Sequence, residues 1–157
     1  MRRHSFGSAV LLGLFFPAIV LGGEAGKIGV VKGTVTIGGK PAPDAVVSVE
    51  GILSGQLKTI KAVMDQRDMK FIPRVLPVTI GTSVDFPNND KTFHNVFSTS
   101  EAKKFDLGLY PPGKSRSVTF DKPGVVRILC NAHPQMETFI VVKAHPYFSA
   151  TDKRGNF

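Results

Sequence analysis

The chain has 157 residues, a length typical of one domain, and 42% of them are hydrophobic, which is sufficient for a packed core. Its net charge of +8 favours acidic partners or an anionic membrane surface, but no basic run is interleaved with aromatic residues as a nucleic-acid groove requires, so we expect no nucleic-acid partner. The single cysteine excludes an internal disulfide.

The N-terminal residues 1–25 have the pattern of a secretory signal peptide. Arg2 and Arg3 form a basic start, and an apolar stretch over residues 6–21 is followed by small side chains. A membrane anchor is the alternative, but Pro17 interrupts the apolar stretch, which is shorter than the roughly 20 residues of a spanning helix. We therefore expect export to the periplasm.

The rest of the chain shows short apolar–polar alternations separated by turn residues. Residues 31–37 alternate as a half-buried strand, glycines 38 and 39 turn the chain, and residues 45–50 form a second strand, which predicts an N-terminal hairpin over residues 28–50. One helical turn is predicted over residues 98–104. Further strands are predicted over residues 59–64, 71–75, 78–80, 84–86, 106–109, 116–120, 125–129 and 139–142. This pattern predicts an all-β sandwich.

The stretch from Cys130 to Met136 concentrates the chemically distinctive side chains. It contains the only cysteine, His133 and a methionine, and it directly follows the predicted strand 125–129. Alternate residues of that strand share a face with the cysteine, so the sulfur should point toward the core. Pro134 keeps the next residues out of a central ladder, so a loop can turn back toward the sulfur.

A second histidine, His94, follows a polar loop, and a neighbouring strand would have to bring it to the same end of the sandwich. Two imidazoles, one thiolate and one thioether are the ligands of a blue-copper electron-transfer site. A free thiol in an oxidising compartment is a liability unless it is buried or bound to metal. We therefore predict one copper ion, cycling between Cu(I) and Cu(II). Its predicted ligands are His94, Cys130, His133 and Met136.

Other chemistries lack their motifs in this sequence. There is no G-x-S-x-G nucleophile motif, no C-x-x-C pair and no glycine-rich phosphate loop. A copper oxidase or nitrite reductase would require a second histidine-rich site, and only His145 remains in the mature chain. The sequence therefore predicts an electron carrier and not an enzyme.

The sequence resembles the cupredoxin family, which includes plastocyanin and amicyanin. The C-x-x-H-x-x-M spacing from residue 130 is similar to that of amicyanin, and the resemblance extends through residues 71–86 and 94–96, covering about residues 60–143. It also extends to bacterial plastocyanin-like proteins labelled as methylamine-utilisation proteins. The resemblance implies a Greek-key β-sandwich and places the four predicted ligands on the copper positions of the family.

The resemblance also implies two supporting residues. Asn95 matches the asparagine that ties the two ligand loops together, and Asn131 stands where relatives often have Thr or Ser. We expect a monomer that exchanges electrons with a cytochrome or a dehydrogenase. The predicted domain spans residues 26–145, and residues 146–157 are predicted to be a C-terminal tail that adds little to the site.

Two other functions remain alternatives. One is a copper-binding or copper-delivery protein without a redox partner, and the other is a structural β-sandwich that has kept the cupredoxin pattern. A strong blue colour with Cu(II) would argue against the structural alternative. Rapid electron exchange with a cytochrome would distinguish a carrier from a delivery protein.

Overall fold

The computed structural model describes residues 29–51 and 61–157, so the predicted signal peptide lies outside the described residues. Fourteen strands and no helix occur in these ranges, and no helix there could cross a membrane. The strands are β1 Thr36–Ile37, β2 Lys40–Pro41, β3 Val46–Ser48, β4 Lys61–Val63, β5 Asp65–Arg67, β6 Lys70–Ile72, β7 Val75–Thr79, β8 Thr82–Pro87, β9 His94–Ser98, β10 Phe105–Tyr110, β11 Ser115–Phe120, β12 Gly124–Leu129, β13 Glu137–Lys143 and β14 Phe148–Ala150.

Two sheets form the layers of the predicted sandwich. The larger has the order β10-β9-β12-β13-β7, and the smaller has the order β11-β8-β4. Most neighbours are antiparallel, whereas β13 pairs with β7 and β4 pairs with β8 in parallel. Strand β7 lies at an edge, where the missing N–H of Pro77 does not interrupt a central ladder. The prediction of an all-β sandwich is confirmed.

The core lies between these sheets and follows the alternation of the strands. In β12, Val126 and Ile128 are fully buried, whereas the intervening Val125 is 59% exposed. The same parity continues into Cys130, which is buried as predicted. Phe86 and Phe120 of the smaller sheet pack on either side of Phe105 of β10, and each of their ring centroids lies 6.2 Å from that of Phe105. Burial of such side chains contributes roughly 1.5–3 kcal/mol each.

A hairpin forms in residues 36–41, but the strands that pair in it are not the predicted ones. Gly38 and Gly39 both have positive φ angles, of 56° and 76°, and reverse the chain within two residues, so β1 pairs immediately with β2. Strand β3 is therefore left without β1 as a partner and pairs with β14 near the C-terminus. The predicted pairing of residues 31–37 with residues 45–50 is wrong.

Residues 146–157 are folded, in contrast to the predicted tail. Strand β14 pairs with β3, and the Thr151 hydroxyl donates to the Ala42 carbonyl at 2.6 Å and accepts from the Ala45 N–H at 2.9 Å. Gly33 and Phe157 exchange two backbone hydrogen bonds, at 3.0 and 3.3 Å. We call residues 33–50 together with residues 146–157 the terminal module.

The predicted helical turn over residues 98–104 is also absent. Strand β9 ends at Ser98, whose hydroxyl accepts a hydrogen bond from the Ser100 N–H at 3.1 Å. The Lys103 N–H then donates to the Ser100 carbonyl at 3.1 Å, which closes a tight turn into β10. Strands β9 and β10 are antiparallel neighbours, and this turn is the connection between them.

Candidate metal centre

Three strand ends meet at one end of the larger sheet. Strand β9 begins at His94, β12 ends one residue before Cys130, and β13 begins one residue after Met136. The pairing of Leu129 with Phe97 sets β12 beside β9, which brings the cysteine next to His94. The loop from β12 to β13 is closed by a hydrogen bond of 2.9 Å from the Met136 N–H to the His133 carbonyl.

The sulfur and the two imidazoles converge. The Nδ1 atoms of His94 and His133 are 3.0 Å apart, and the Cys130 Sγ lies 3.9 Å from each of them. His94 is fully buried, Cys130 is 4% exposed, and His133 is partly exposed. Among the described residues these three form the one group of three or more His, Cys, Asp or Glu side chains whose ligand atoms all lie within 4.8 Å of one another.

The geometry of this cluster fits a metal ion. The point equidistant from three atoms with separations of 3.0, 3.9 and 3.9 Å lies about 2.1 Å from each, and metal–nitrogen and metal–sulfur bonds are of roughly this length. A trigonal set of two imidazoles and one thiolate is the arrangement of blue-copper sites. The residues present therefore suit copper.

Met136 lies in the core that surrounds this cluster. Its side chain is 1% exposed and belongs to the same buried cluster as Cys130. Its backbone is tied to that of His133, so the predicted fourth ligand and the second imidazole belong to one turn of the loop. A thioether is a weak ligand that copper accepts beside two imidazoles and a thiolate, so Met136 would be the candidate for a fourth ligand.

Asn95 connects the two segments that carry the ligands. Its backbone N–H donates to the Cys130 Sγ at 3.5 Å, and its side-chain oxygen accepts from the Asn131 N–H at 3.3 Å. Its amide nitrogen donates to Asp106 at 2.6 Å. Because the link to residue 131 uses the backbone, the exposed Asn131 side chain is not required for it.

Asp90 is a contact of the site that the sequence analysis missed. Its Oδ2 lies 2.9 Å from the His94 Nε2 and accepts from the Met69 N–H at 2.7 Å, and its Oδ1 accepts from the Lys91 N–H at 2.7 Å. Two hydrogen bonds lower the pKa of this carboxyl to about 2. The bond from the Met69 N–H has the largest effect, and the bond with His94 has the next largest. The sequence signal that could have identified this contact is the position of Asp90, an acidic residue four positions before the candidate ligand His94.

One edge of the site reaches the protein surface. An open cavity of about 490 Å³ lies beside His133, whereas His94 is closed off from solvent. The cavity is lined by Asp68, Met69, Asp90, Lys91, Thr92 and His133. Solvent or a partner molecule can therefore approach the cluster along the His133 ring.

His145 does not join the cluster. It is 6% exposed, its Nδ1 accepts from the Tyr147 N–H at 3.3 Å, and its ring stacks on that of Tyr147 at a centroid distance of 6.1 Å. It lines a separate cavity of about 390 Å³ near the start of β12 and the end of β13. This histidine therefore has a packing role in the structure.

Comparison with known proteins gives consistent results for the region around the cluster. A family model for copper-binding proteins of the plastocyanin/azurin family matches residues 58–143. Chloroplastic plastocyanin from Physcomitrium patens is 32% identical over 104 residues, which are 60% of this chain. The match covers 62% of that plastocyanin, so the chain spans less than two thirds of its length.

Solved structures show the same fold. A mutant of amicyanin in its reduced form superimposes with a TM-score of 0.50 at 24% identity, covering 56% of this chain and 87% of amicyanin. A copper-containing nitrite reductase from Thermus scotoductus SA-01 gives a TM-score of 0.51 at 24% identity, covering 62% of this chain and 25% of the enzyme. At these identities the likeness shows the fold alone.

Proposed function

Because this chain belongs to the plastocyanin/azurin family of copper-binding proteins, we propose that it carries single electrons between redox proteins in the periplasm and is not an enzyme. The observation that carries the proposal is the trigonal cluster of His94, Cys130 and His133, with His133 at the surface. The neighbouring nitrite reductase structure shares the fold, but one such cluster in the described residues suits electron transfer without substrate turnover.

In this proposal His94, Cys130 and His133 hold the copper ion and Met136 is a weak fourth ligand. Copper supplies a couple between Cu(I) and Cu(II) when it is bound. The chain contributes a site whose ligands are fixed by β9, by the end of β12 and by the loop bond within residues 133–136, which limits rearrangement on electron transfer. The Asn95 N–H directed at the sulfur withdraws electron density from the thiolate and so tunes the potential.

The electron should enter and leave through His133. Its ring borders the surface cavity, whereas the ring of His94 is fully buried and faces Asp90. A redox partner that covers the cavity would reach the cluster through one imidazole. The signal-peptide pattern supports a periplasmic location, and the net charge of +8 supports an acidic partner surface, on a cytochrome or a dehydrogenase.

The test is the visible and EPR spectrum of the mature chain after addition of Cu(II). We expect one copper per chain and an intense blue colour, which Cys130→Ala abolishes because the charge transfer requires the thiolate sulfur. Met136→Leu should retain the colour and raise the potential, because a weak electron donor is lost. His145→Ala is the control and should leave the spectrum unchanged. An intensely blue Cys130→Ala protein would disprove the ligand assignment.

Electron exchange with a small cytochrome separates carriage from delivery. A carrier should exchange electrons rapidly in both oxidation states and keep its copper, whereas a delivery protein would lose copper to an acceptor without exchanging electrons. Retention of copper with rapid exchange therefore supports the proposal. Copper transfer without electron exchange would replace it by the delivery function.

A further inference from the structure

We propose that Met69 is a modification site: its thioether is the sulfur that peroxides oxidise to a sulfoxide, and the added oxygen lies at the rim of the cavity beside His133. The site itself follows from the exposure, the backbone conformation and the contacts of Met69. The effect of the modification on electron transfer rests on the copper function proposed above.

Exposure separates Met69 from the other methionines in the described part of the chain. Met64 and Met136 are 0% and 1% exposed, whereas Met69 is 47% exposed. The Cys130 thiol, the remaining sulfur, is also buried. Because oxidation of a side-chain sulfur follows its accessibility to the oxidant, a peroxide in solution should react with Met69 before it reaches the buried sulfurs.

The backbone at Met69 has a conformation that is unfavourable for a methionine. Asp68 and Met69 form the two-residue turn between β5 and β6, and their φ angles are 51° and 54°. Hairpin turns with this left-handed conformation normally use Asn or Gly. The Met69 N–H donates to the Asp90 carboxylate at 2.7 Å, which holds the turn in place. Strain of this kind clusters at functional sites, so it points to a role for the thioether.

The thioether contacts the loop that carries two of the predicted copper ligands. The Gln135 amide donates to the Met69 Sδ at 3.8 Å, and Gln135 lies between His133 and Met136 in the chain. A thioether is a weak acceptor, whereas oxidation converts it into a polar group with an oxygen that accepts strongly. The amide that already faces the sulfur can therefore donate to the added oxygen, so the structure provides a partner for the oxidised side chain.

The reaction requires a peroxide as its only co-reactant. The Met69 sulfur attacks one oxygen of hydrogen peroxide, and the O–O bond breaks as the S–O bond forms. The second oxygen takes the proton of the transferred oxygen and leaves as water. The sulfur is oxidised by two electrons and the peroxide is reduced by two. Methionine sulfoxide reductases reverse the change, so the modification is reversible.

Oxidation of Met69 should slow electron transfer while the metal cluster stays intact. Met69 lines the cavity of about 490 Å³ beside His133, so a partner that covers this cavity also covers the Met69 side chain. A thioether is buried readily, whereas a sulfoxide loses its hydration and has the Gln135 amide in exchange. We therefore expect electron exchange to become about tenfold slower. The blue spectrum should not change, because the buried Met136 is not oxidised.

The first experiment treats the Cu(II)-loaded full mature chain with dilute hydrogen peroxide and locates the added oxygen by tandem mass spectrometry. In the wild type we expect one oxygen, on Met69. Met69→Leu should take up none at the same dose. Met64→Leu is the matched control, because it removes a buried methionine, and it should take up one oxygen as the wild type does. Oxidation of Met64 or Met136 as fast as that of Met69 would overturn the inference.

The second experiment measures self-exchange between the Cu(I) and Cu(II) forms by NMR line broadening. The protein oxidised at Met69 should exchange about tenfold more slowly than the untreated protein, and methionine sulfoxide reductase should restore the rate. Peroxide-treated Met69→Leu should keep the rate that it has before treatment. Equal rates before and after oxidation of Met69 would overturn the proposed effect on electron transfer.

Failure of the wild type to bind copper would remove the proposed function. The site of oxidation would then be mapped on the metal-free chain, where preferential oxidation of Met69 over Met64 and Met136 would still support the modification site and its absence would overturn it.

Discussion

The copper-site end and the terminal module are held together by different kinds of contact. At the site, the side chains of Asn95 and Asp90 bridge segments distant in sequence, to Asp106 and to Met69. In the terminal module, backbone groups form most of the links, such as the two hydrogen bonds between Gly33 and Phe157. The first region therefore depends on which side chains are present, whereas the second depends on the course of the backbone.

This difference agrees with the extent of the family match. The match covers residues 58–143, which include every contact of the metal cluster described above and exclude the terminal module. The module is thus an addition to the matched domain, joined to it through chain continuity, through contacts of β14 with β7 and through the ion pair of Glu50 with Lys143 at 3.0 Å. Changes in the module should alter stability without altering the site, and the predictions below test that separation.

Deletion of residues 146–157 should have the largest effect on stability. It removes β14, the buried Thr151 hydroxyl and the backbone bonds from Gly155 and Phe157, each contributing roughly 1 kcal/mol, so the free energy of unfolding should fall by about 3 kcal/mol or more. The blue spectrum should persist. Denaturant unfolding and the visible spectrum measure the two effects, and loss of copper binding in a folded deletion variant would contradict the separation.

Alkaline pH should lower the free energy of unfolding of the protein, because Tyr110 at the copper-site end ionises. Burial raises the pKa of this phenol to about 12, compared with roughly 10 in the unfolded chain. The contribution of the neutral Tyr110 side chain to the free energy of unfolding is therefore fully present below pH about 10. It is lost as pH rises toward 12, and the loss is at most about 3 kcal/mol. Urea unfolding from neutral to alkaline pH tests this. Tyr110→Phe should have a shallower decline with pH, and parallel declines would contradict the assignment.

Asn95→Ala should lower the free energy of unfolding of the metal-free protein by about 2 kcal/mol, because it leaves the Asn131 N–H without its partner and removes one of the two hydrogen bonds to the Asp106 carboxylate. The blue colour should remain, since no ligand is lost. Asn131→Ala is the matched control, because its link to Asn95 is through the backbone, and its effect should be within about 0.5 kcal/mol. Equal losses in both variants would show that the Asn95 side chain is not the bridge.

The smallest expected effect is the difference between Gly155→Ala and Gly113→Ala. Both glycines have positive φ angles, of 79° and 77°, so both variants incur a similar backbone strain of roughly 1–2 kcal/mol. Of these two sites, only at Gly155 would the new Cβ collide with a backbone atom, the Val35 carbonyl oxygen. In thermal unfolding, Gly155→Ala should therefore lower the free energy of unfolding by about 1 kcal/mol more than Gly113→Ala does. Equal stabilities of the two variants would mean that the terminal module accommodates the new Cβ without loss of stability.

The sequence could predict the features that depend on local pattern. The parity of Val126, Ile128 and Cys130 follows from the two-residue period of a strand, and the structure buries all three. The edge position of β7 follows from its proline, which cannot donate a ladder hydrogen bond. The candidate ligands were predictable because few residue types bind copper, and the structure brings three of them within 4.8 Å.

Only the tertiary structure determined which distant segments meet. Strand β3, at residues 46–48, had two possible partners, β1 and β14. Because the two-glycine turn pairs β1 with β2, β3 pairs instead with β14, about 100 residues further along the chain. The bond of Asp90 to His94 likewise depends on the conformation of a loop whose polar residues predict only exposure. Local patterns fix which face of a segment is apolar, but its partner is decided by competition among all segments of the folded chain.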